Sequence, residues 1–243
     1  MNEISQPSVL KKNSESDEST RTITSEFYQK LRGDILSGGL APRSKLRIEG
    51  LAEKYEVGAT PVREALSRLW AEGFVEKREQ RGFNVADVSL KEIKSLTRTR
   101  CWLEEIALRE SMRNRTDAWE ENVLVAYHRM SRVPRLASTT PPVPAAAADI
   151  LHWNFHDLLL ANCDSPSLLG YCKDLREKCE RYRSLAASTI YKPDRDTLKE
   201  HEMILKPVLD GDIDTAVDAL VTHYNITLKQ IEIYFANIQQ SED

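Results

Sequence analysis

Histidines are the residues in this sequence with the clearest capacity for chemistry. Only five occur in 243 residues, and two of them, His152 and His156, stand four positions apart in the apolar stretch ILHWNFHDLLLAN, residues 150–162. If this stretch is helical, both imidazoles lie on one face, one turn apart. The pair could then be packed core histidines, a catalytic pair or half of a metal site.

Two further histidines lie in the second half of the chain. His201 stands in KEHEMILKPVLDGD and His223 in AVDALVTHYNITLKQ, both in stretches with helical periodicity. Neutral imidazole is a good ligand for zinc, nickel, copper and iron. Two histidines with a spacing of four are common by accident, so hydrogen-bonded core histidines are the alternative. The catalytic interpretation is weaker because no general base is well placed beside these residues, and no catalytic residue is predicted.

The composition limits the class of protein but does not identify it. Hydrophobic residues make up 41% and charged residues 30%, which is typical of a globular protein, and the net charge is −4. Residues 21–90 nevertheless carry 12 Lys and Arg against 10 Asp and Glu. We find no signal peptide or membrane span, and we expect a cytoplasmic protein with no membrane partner. Its cysteines show no CxxC pairing and are expected to be reduced: Cys101, Cys163, Cys172 and Cys179.

The N-terminal part of the chain is predicted to be a tail followed by a helix. Residues 1–20 are rich in Ser and Glu and are predicted to be a disordered tail. The next helix is expected to end at Gly38-Gly39, ahead of Pro42. Its apolar residues recur every four positions and form one stripe: Ile23, Phe27, Leu31 and Ile35.

Two more helices and a hairpin follow. RIEGLAEKYEV is a short second helix. The stretch ATPVREALSRLWAEGFV predicts a third, with Thr60 as N-cap, Pro61 at the first helical position and Gly73 at the C-terminal stop. FVEKREQRGFNVADV alternates around Gln80-Arg81-Gly82 as a two-stranded hairpin does. On the third helix Val62, Ala65, Leu66 and Leu69 are predicted to face inward, and Arg63, Ser67 and Arg68 outward.

This order of elements predicts a winged helix-turn-helix over residues 21–88, whose third helix enters the major groove of DNA. Residues 89–238 predict an all-α helical bundle, so the expected fold class is mainly α. STTPPVPAAAA, residues 138–148, is predicted to be a loop because it holds three prolines. The candidate helices are 89–113, 117–136, 148–162, 165–188, 194–210 and 213–238.

The first half resembles the GntR family of bacterial transcription regulators, through the pattern TPVREAL…L…EG.V…RGF.V. An all-helical second half resembles the FadR subfamily, with its FCD-type ligand-binding bundle. The resemblance covers roughly residues 21–235. It implies a homodimer that binds a pseudo-palindromic double-stranded DNA operator and responds to a small metabolite.

The resemblance also suggests which residues contact DNA. Thr60 and Arg63 match the start of the third helix, and Arg81 and Gly82 match the tip of the wing. An arginine at such a position can hydrogen-bond a guanine edge or a phosphate, although Arg63 could also be an ordinary surface charge. The family often has a Ser/Thr-Arg pair where this chain has Gly58-Ala59, so its operator sequence cannot be copied from relatives.

Many FadR-type bundles hold a divalent metal through an Asp, a His four residues later and two further histidines. The FHDLL signature aligns His156 with the first family histidine, and His201 and His223 with the later ones. His152 then occupies the family's aspartate position. Four neutral imidazoles leave the ion its full charge and favour zinc, with nickel next, over manganese or magnesium. Asp149 could join the site or cap its helix.

The bundle's first helix supplies a candidate effector ligand. TRTRCWLEEIAL resembles the family's R..LE..A segment, with Arg100 and Glu104 matching it. Arg100 could bind a small carboxylate effector, such as a short dicarboxylate, or simply form an ion pair. Departures include Asp164-Ser165-Pro166 where relatives often have Gly-Asn-Pro. The segments QRGFNVADVSL and AWEENV resemble the corresponding segments of regulators of glutarate and related short-diacid catabolism.

The sequence therefore favours a metabolite-responsive repressor of a catabolic operon. An activator, or a regulator whose metal is purely structural, is the alternative within the same class. A metal-dependent enzyme fused to a DNA-binding domain is the alternative from a different class.

Overall fold

The structure is a computed structural model that describes residues 13–78, 82–133, 145–190 and 195–242. The chain divides between Asp87 and Val88 into two compact units. The first is a winged helix-turn-helix and the second a helical bundle, so the predicted mainly α fold class is confirmed. In the described part of the chain, no helix has the length and apolar character needed to cross a membrane.

The N-terminal unit packs three helices against a small antiparallel sheet. The sheet has the order β1-β3-β2, and β3 pairs with both neighbours. The first strand was not expected, because a two-residue strand has no alternation to read in the sequence. The elements are α1 (Asn13–Leu36), β1 (Lys45–Leu46), α2 (Ile48–Tyr55), α3 (Ala59–Ala71), β2 (Val75–Arg78) and β3 (Gly82–Val85).

The apolar stripe of α1 packs against the inward face of α3. Leu31 and Leu66 are fully buried, and burying a leucine contributes roughly 1.5–3 kcal/mol. Phe27 and Ile35 join this core, whereas Ile23 was wrongly placed in it and is 46% exposed. All four residues predicted to face inward from α3 are buried.

The helix α1 begins earlier than the sequence suggested. Residues 13–20 form its first turns, although we expected residues 1–20 to be a disordered tail; residues 1–12 lie outside the described part of the chain. A helix anchored by packing at its C-terminal end extends at little cost, because propagation fixes one residue per hydrogen bond.

The start of α3 also corrects a prediction. Its N-cap is Gly58, not Thr60, and the helix begins at Ala59, so Pro61 is the third helical residue. Proline is tolerated there because the N–H groups of the first turn have no intrahelical acceptor. The stop at Gly73 is confirmed, since this glycine has φ +81° just beyond the C-cap.

The second unit consists of helices throughout its described residues. They are α4 (Leu90–Arg113), α5 (Asp117–Ser131), α6 (Ala145–Leu160), α7 (Pro166–Leu185), α8 (Ala187–Ile190), α9 (Thr197–Asp210) and α10 (Ile213–Glu242). Its core centres on Phe155, Leu108, Ile204 and Leu220, which are almost fully buried. Four helices, α4, α6, α9 and α10, meet around this core and carry the predicted site residues.

Several predicted helix ends move in the structure. The loop expected at 138–148 lies outside the described residues up to 144, while 145–148 form the first turn of α6, which suits four consecutive alanines. The helix expected over 165–188 ends at Leu185 and is followed by the single turn α8. Between α9 and α10, Gly211 has φ +79°, a left-handed conformation that favours glycine at this turn.

Candidate functional site

The outward face of α3 presents the predicted DNA-contacting residues of that helix. Thr60 and Arg63 are exposed at its N-terminal end, and Ser67 follows on the same side. Arg68 is exposed as well, and it also contacts the protein: its Nε is 3.2 Å from Glu72, and its guanidinium lies 3.8 Å from the centre of the Tyr28 ring.

The predicted wing tip is described in part. Gly82 is the first residue of β3, has φ +83° and is surrounded by open space. Arg81 lies outside the described residues. The positive φ explains why a glycine follows the arginine at this turn, because other residues adopt this conformation at a cost.

The four predicted metal ligands come together inside the bundle. His152 and His156 lie on α6, His201 on α9 and His223 on α10, and all four are buried. One ring nitrogen from each lies within 4.8 Å of the others. His156 Nε2 is 3.1 Å from His152 Nε2 and 3.3 Å from His201 Nε2. Tetrahedral coordination with zinc–nitrogen bonds of 2.0–2.1 Å places neighbouring nitrogens about 3.4 Å apart.

The partners of the Nδ1 atoms determine where the lone pairs lie. His201 Nδ1 donates to the carbonyl oxygen of Thr197 at 2.5 Å, and His223 Nδ1 donates to Glu200 Oε2 at 2.8 Å. His156 Nδ1 lies 3.1 Å from the Tyr224 hydroxyl, whose own proton goes to a carboxylate and which therefore accepts here. In these three histidines the proton is on Nδ1, so the Nε2 lone pair remains available to a metal.

This arrangement fits a divalent cation. The Nε2 atoms of His156 and His201 face each other at 3.3 Å with both lone pairs available. Two lone pairs at that distance repel, and a cation between them converts the repulsion into coordination. The residues of the cluster could therefore hold a metal ion, as many FCD domains do.

Glu200 and Arg195 support one side of the cluster. Arg195 donates two hydrogen bonds of 2.7 Å to the Glu200 carboxylate, which also accepts from His223. Burial alone would raise the pKa of Glu200, but the hydrogen bonds from Arg195 and His223 lower it to about 2. Burial lowers the pKa of His223, although its bond to Glu200 opposes this, and a lowered pKa favours the neutral imidazole that binds metal.

On the other side, a chain of hydrogen bonds joins the cluster to Arg100. Arg100 Nε donates to Glu104 Oε1 at 2.6 Å, and the Tyr224 hydroxyl donates to Glu104 Oε2 at 2.5 Å. The Arg100 guanidinium also lies 4.0 Å from the centre of the Tyr224 ring. Arg100 is only 6% exposed, and its Nη2 has no hydrogen-bond partner among the described residues. A buried N–H without an acceptor is costly, so a ligand oxygen would stabilise it.

Arg100 borders a small cavity, which we call the Arg100 cavity. It has a volume of about 170 Å³. Pockets for drug-sized ligands are about 300–1,000 Å³, so this one fits only a small molecule. Its charged and metal-ligating lining residues are Arg100, Glu104, His156, Asp157, Lys173 and Arg176. Three cations against two carboxylates favour an anionic occupant.

The remaining predicted residues have structural roles. Asp149 forms an ion pair with Arg183 at 2.8 Å and is not part of the four-histidine cluster. Ser165 caps α7 and Pro166 starts it, so the departure from Gly-Asn-Pro preserves the turn. All four cysteines are free thiols, and burial raises the pKa of Cys172 to about 12, which makes this thiol unreactive.

Sequence reasoning missed the residues that surround the cluster, namely Glu200, Tyr224, Lys173 and Arg176. Glu200 precedes His201, and adjacent residues on a helix point in different directions. Its contact with His223 spans two helices, and no periodicity in the sequence shows it. For Lys173 and Arg176, the spacing of three on α7 was the available signal.

Together, a winged helix with an outward-facing arginine and a helical bundle with a polar cavity define a class, the DNA-binding transcription regulators. Residues 23–85 match the family model described as "Bacterial regulatory proteins, gntR family", and residues 95–225 match the FCD domain. The chain belongs to the GntR family, in its FCD-containing, FadR-like branch, and this family consists of transcription regulators and not of enzymes.

Curated relatives agree with this assignment. The chain is 34% identical to "Uncharacterized HTH-type transcriptional regulator BphR" of Paraburkholderia xenovorans (strain LB400), over 87% of this chain and 86% of the relative. It is 30% identical to "HTH-type transcriptional repressor GlaR" of Escherichia coli (strain K12), over 83% and 93%. Among solved structures, McbR/YncC of E. coli matches with a TM-score of 0.68 at 19% identity, over 88% of this chain and 98% of that one, which supports the fold.

Proposed function

We propose that this regulator is a metabolite-responsive repressor that senses a small organic acid through a metal ion held by its histidine cluster. The observation that carries the proposal is the Arg100 cavity. His156 of the cluster and the buried Arg100 line the same 170 Å³ space. An acid in that space would have a metal ion and a guanidinium as partners at once. The repressor role is supported by the relative GlaR, which is named a repressor.

The metal we propose is zinc, with nickel as the second choice. Four neutral nitrogen donors suit these ions, whereas manganese and magnesium prefer carboxylate oxygen. The four imidazoles add no charge of their own, so the ion would keep its charge of +2. That charge would attract a carboxylate, which would join the four nitrogens as a fifth ligand.

For the acid, we propose a short dicarboxylate. One carboxylate would bind the metal and accept from Arg100 Nη2, the buried N–H atom that lacks an acceptor. The second would meet Lys173 and Arg176 on the α7 wall of the cavity. Arg176 also pairs with Asp157 at 3.2 Å, and its Nε is buried without a hydrogen-bond partner in the described structure.

At the DNA end, we propose a homodimer that binds a pseudo-palindromic operator. Thr60 and Arg63 would contact DNA at the start of α3, and Arg81 and Gly82 at the wing. In proteins of this class a two-fold dimer places its two recognition helices about one helical turn apart, or a multiple of that, which produces the palindrome. The exposure of Thr60 and Arg63 on the outward face of α3 supports this assignment.

Operator binding in the presence of candidate acids tests the proposal. The operator is first selected from random DNA, and its binding to the zinc-loaded protein is followed by fluorescence anisotropy. Succinate, glutarate and adipate are compared with the monocarboxylates of matching chain length. We expect a dicarboxylate to weaken operator binding by roughly 5–150-fold, the usual range of allosteric coupling. If no acid changes operator affinity with zinc present, the sensing proposal is wrong.

Matched variants test whether the acid binds in the Arg100 cavity. Lys173→Gln should reduce the response to the dicarboxylate, whereas Lys178→Gln, also exposed on α7 but away from the cavity, should not. Arg100→Lys keeps the buried charge opposite Glu104 but removes the guanidinium geometry, so the response should weaken while the fold survives. An undiminished response in both Lys173→Gln and Arg100→Lys would place the acid elsewhere.

A further inference from the structure

A second and larger cavity borders the histidine cluster at His223. It lies between α9 and α10, has a volume of about 600 Å³, and we call it the α9–α10 groove. His223, one of the four clustered histidines, lines it together with Glu200. Its other charged lining residues are Lys206, Asp210, Asp212 and Asp218, so four carboxylates face one lysine.

The two cavities differ in the sign of their charge. The α9–α10 groove carries a net charge of about −2 when Glu200, which is paired with Arg195, is left out, because three aspartates face one lysine. The Arg100 cavity carries about +1, with three cations against two carboxylates. Each cavity includes one member of the cluster, His223 in the first and His156 in the second.

We propose that the metal ion reaches the histidine cluster through the acidic α9–α10 groove, while the acid enters through the cationic Arg100 cavity. This rests on the proposed function, because it needs a metal in the cluster. Clefts lined by charges of one sign concentrate ions of the opposite sign and raise association rates by 10–10³-fold. A divalent cation is attracted to the groove and repelled from the Arg100 cavity, and an organic anion experiences the reverse.

Separate routes for the metal ion and the acid would affect how the protein is loaded with metal while it senses the acid. An acid bound in the Arg100 cavity covers the His156 side of the cluster but leaves the His223 side open to the groove. The acid then does not have to leave its cavity for the metal to be loaded. A single shared entrance would instead trap the metal whenever the acid is bound.

Stopped-flow kinetics of zinc binding test this route. Metal-free full-length protein is mixed with zinc in the presence of a chromophoric zinc chelator, and association and dissociation rates are measured at low and high salt. The test variant is Asp210→Lys/Asp218→Lys, two exposed positions whose replacement leaves the core untouched. We expect its association rate to fall about tenfold at low salt, and the difference to shrink at 1 M salt, where charges are screened within about 3 Å.

A matched control separates the route from net charge. Asp174→Lys/Glu202→Lys makes the same change in charge at exposed positions on α7 and α9 that line neither cavity, and it should associate with zinc at the wild-type rate. The proposal is overturned if the groove variant and this control slow equally, or if neither slows. Faster zinc association in Lys173→Glu, with the groove variant unchanged, would assign entry to the Arg100 cavity. A wild-type protein that binds no zinc would refute the proposed function itself.

Discussion

Replacing His156 with alanine is the sharpest test of the metal site, because this residue is central to the cluster. Its Nε2 lies within 3.3 Å of the Nε2 atoms of both His152 and His201. His128→Ala is the matched control, since His128 is exposed on α5 and is the one histidine of the chain outside the cluster. Both variants lose one imidazole, and only the first loses a proposed ligand.

The expected change in melting temperature follows from the coupling between zinc binding and folding. Free zinc at 100 times its dissociation constant stabilises the folded state by about 2.7 kcal/mol. For a unit the size of Val88–Asp243, 1 kcal/mol corresponds to roughly 2–4 °C, so zinc should raise the melting temperature by about 5–11 °C. Loss of an outer-shell partner alone costs 10–100-fold in affinity. If His156→Ala costs 100-fold, the remaining stabilisation is about 0.4 kcal/mol, or about 1 °C.

Thermal unfolding followed by tryptophan fluorescence measures this shift, because Trp102, Trp119 and Trp153 all lie in the bundle. Each variant is compared with and without zinc, which separates metal binding from any intrinsic loss of stability caused by the cavity at His156. His128→Ala should keep the wild-type shift. If His156→Ala keeps the full shift and one zinc per chain by elemental analysis, the four-histidine site is refuted.

Three further predictions concern DNA, metal choice and pH. Arg63→Ala should weaken operator binding by about 1–3 kcal/mol in anisotropy titrations while leaving the zinc shift intact; unchanged affinity would contradict the position of α3 on DNA. His152→Asp should lower the preference for zinc over manganese in competition dialysis, and an unchanged ratio would argue against His152 as a ligand. Burial lowers the pKa of His223, so its neutral form persists as the pH falls and zinc should remain bound at pH 6.5; release with a midpoint above that pH would contradict this.

The parts of the fold that follow from local patterns were predictable. The stripe of α1 and the inward face of α3 have a clear helical period, and Leu31 and Leu66 are in the core as expected. The start of α3 was misjudged because Thr60 is the better N-cap by type, whereas the backbone places Gly58 there. A glycine cap costs only a few tenths of a kcal/mol relative to threonine, which is too little for residue type alone to decide the position.

Within the candidate site, the four histidines that cluster were predictable from the sequence, and the residues around them were not. Histidine is rare in this chain, so four in helical stretches stood out, and a family resemblance connected His156 with residues more than forty positions away. Acidic and basic residues are abundant and carry no such signal. Glu200 and Arg176 are distinguished from other surface-type residues by burial and by partners on other helices, which only the folded chain provides.

The histidine at position 152 changes where negative charge lies around the metal. In the subfamily that the sequence resembles, an aspartate at this position places a charge in direct contact with the ion. In this chain the nearest carboxylates act through intermediates: Glu200 through the ring of His223, and Glu104 through Tyr224 to His156. Both carboxylates are also paired with arginines, Arg195 and Arg100. In the proposed site, an incoming acid would therefore supply the first negative charge that touches the metal directly. The metal's attraction for the acid should be stronger for that reason, and His152→Asp should weaken the acid response even where it retains a metal.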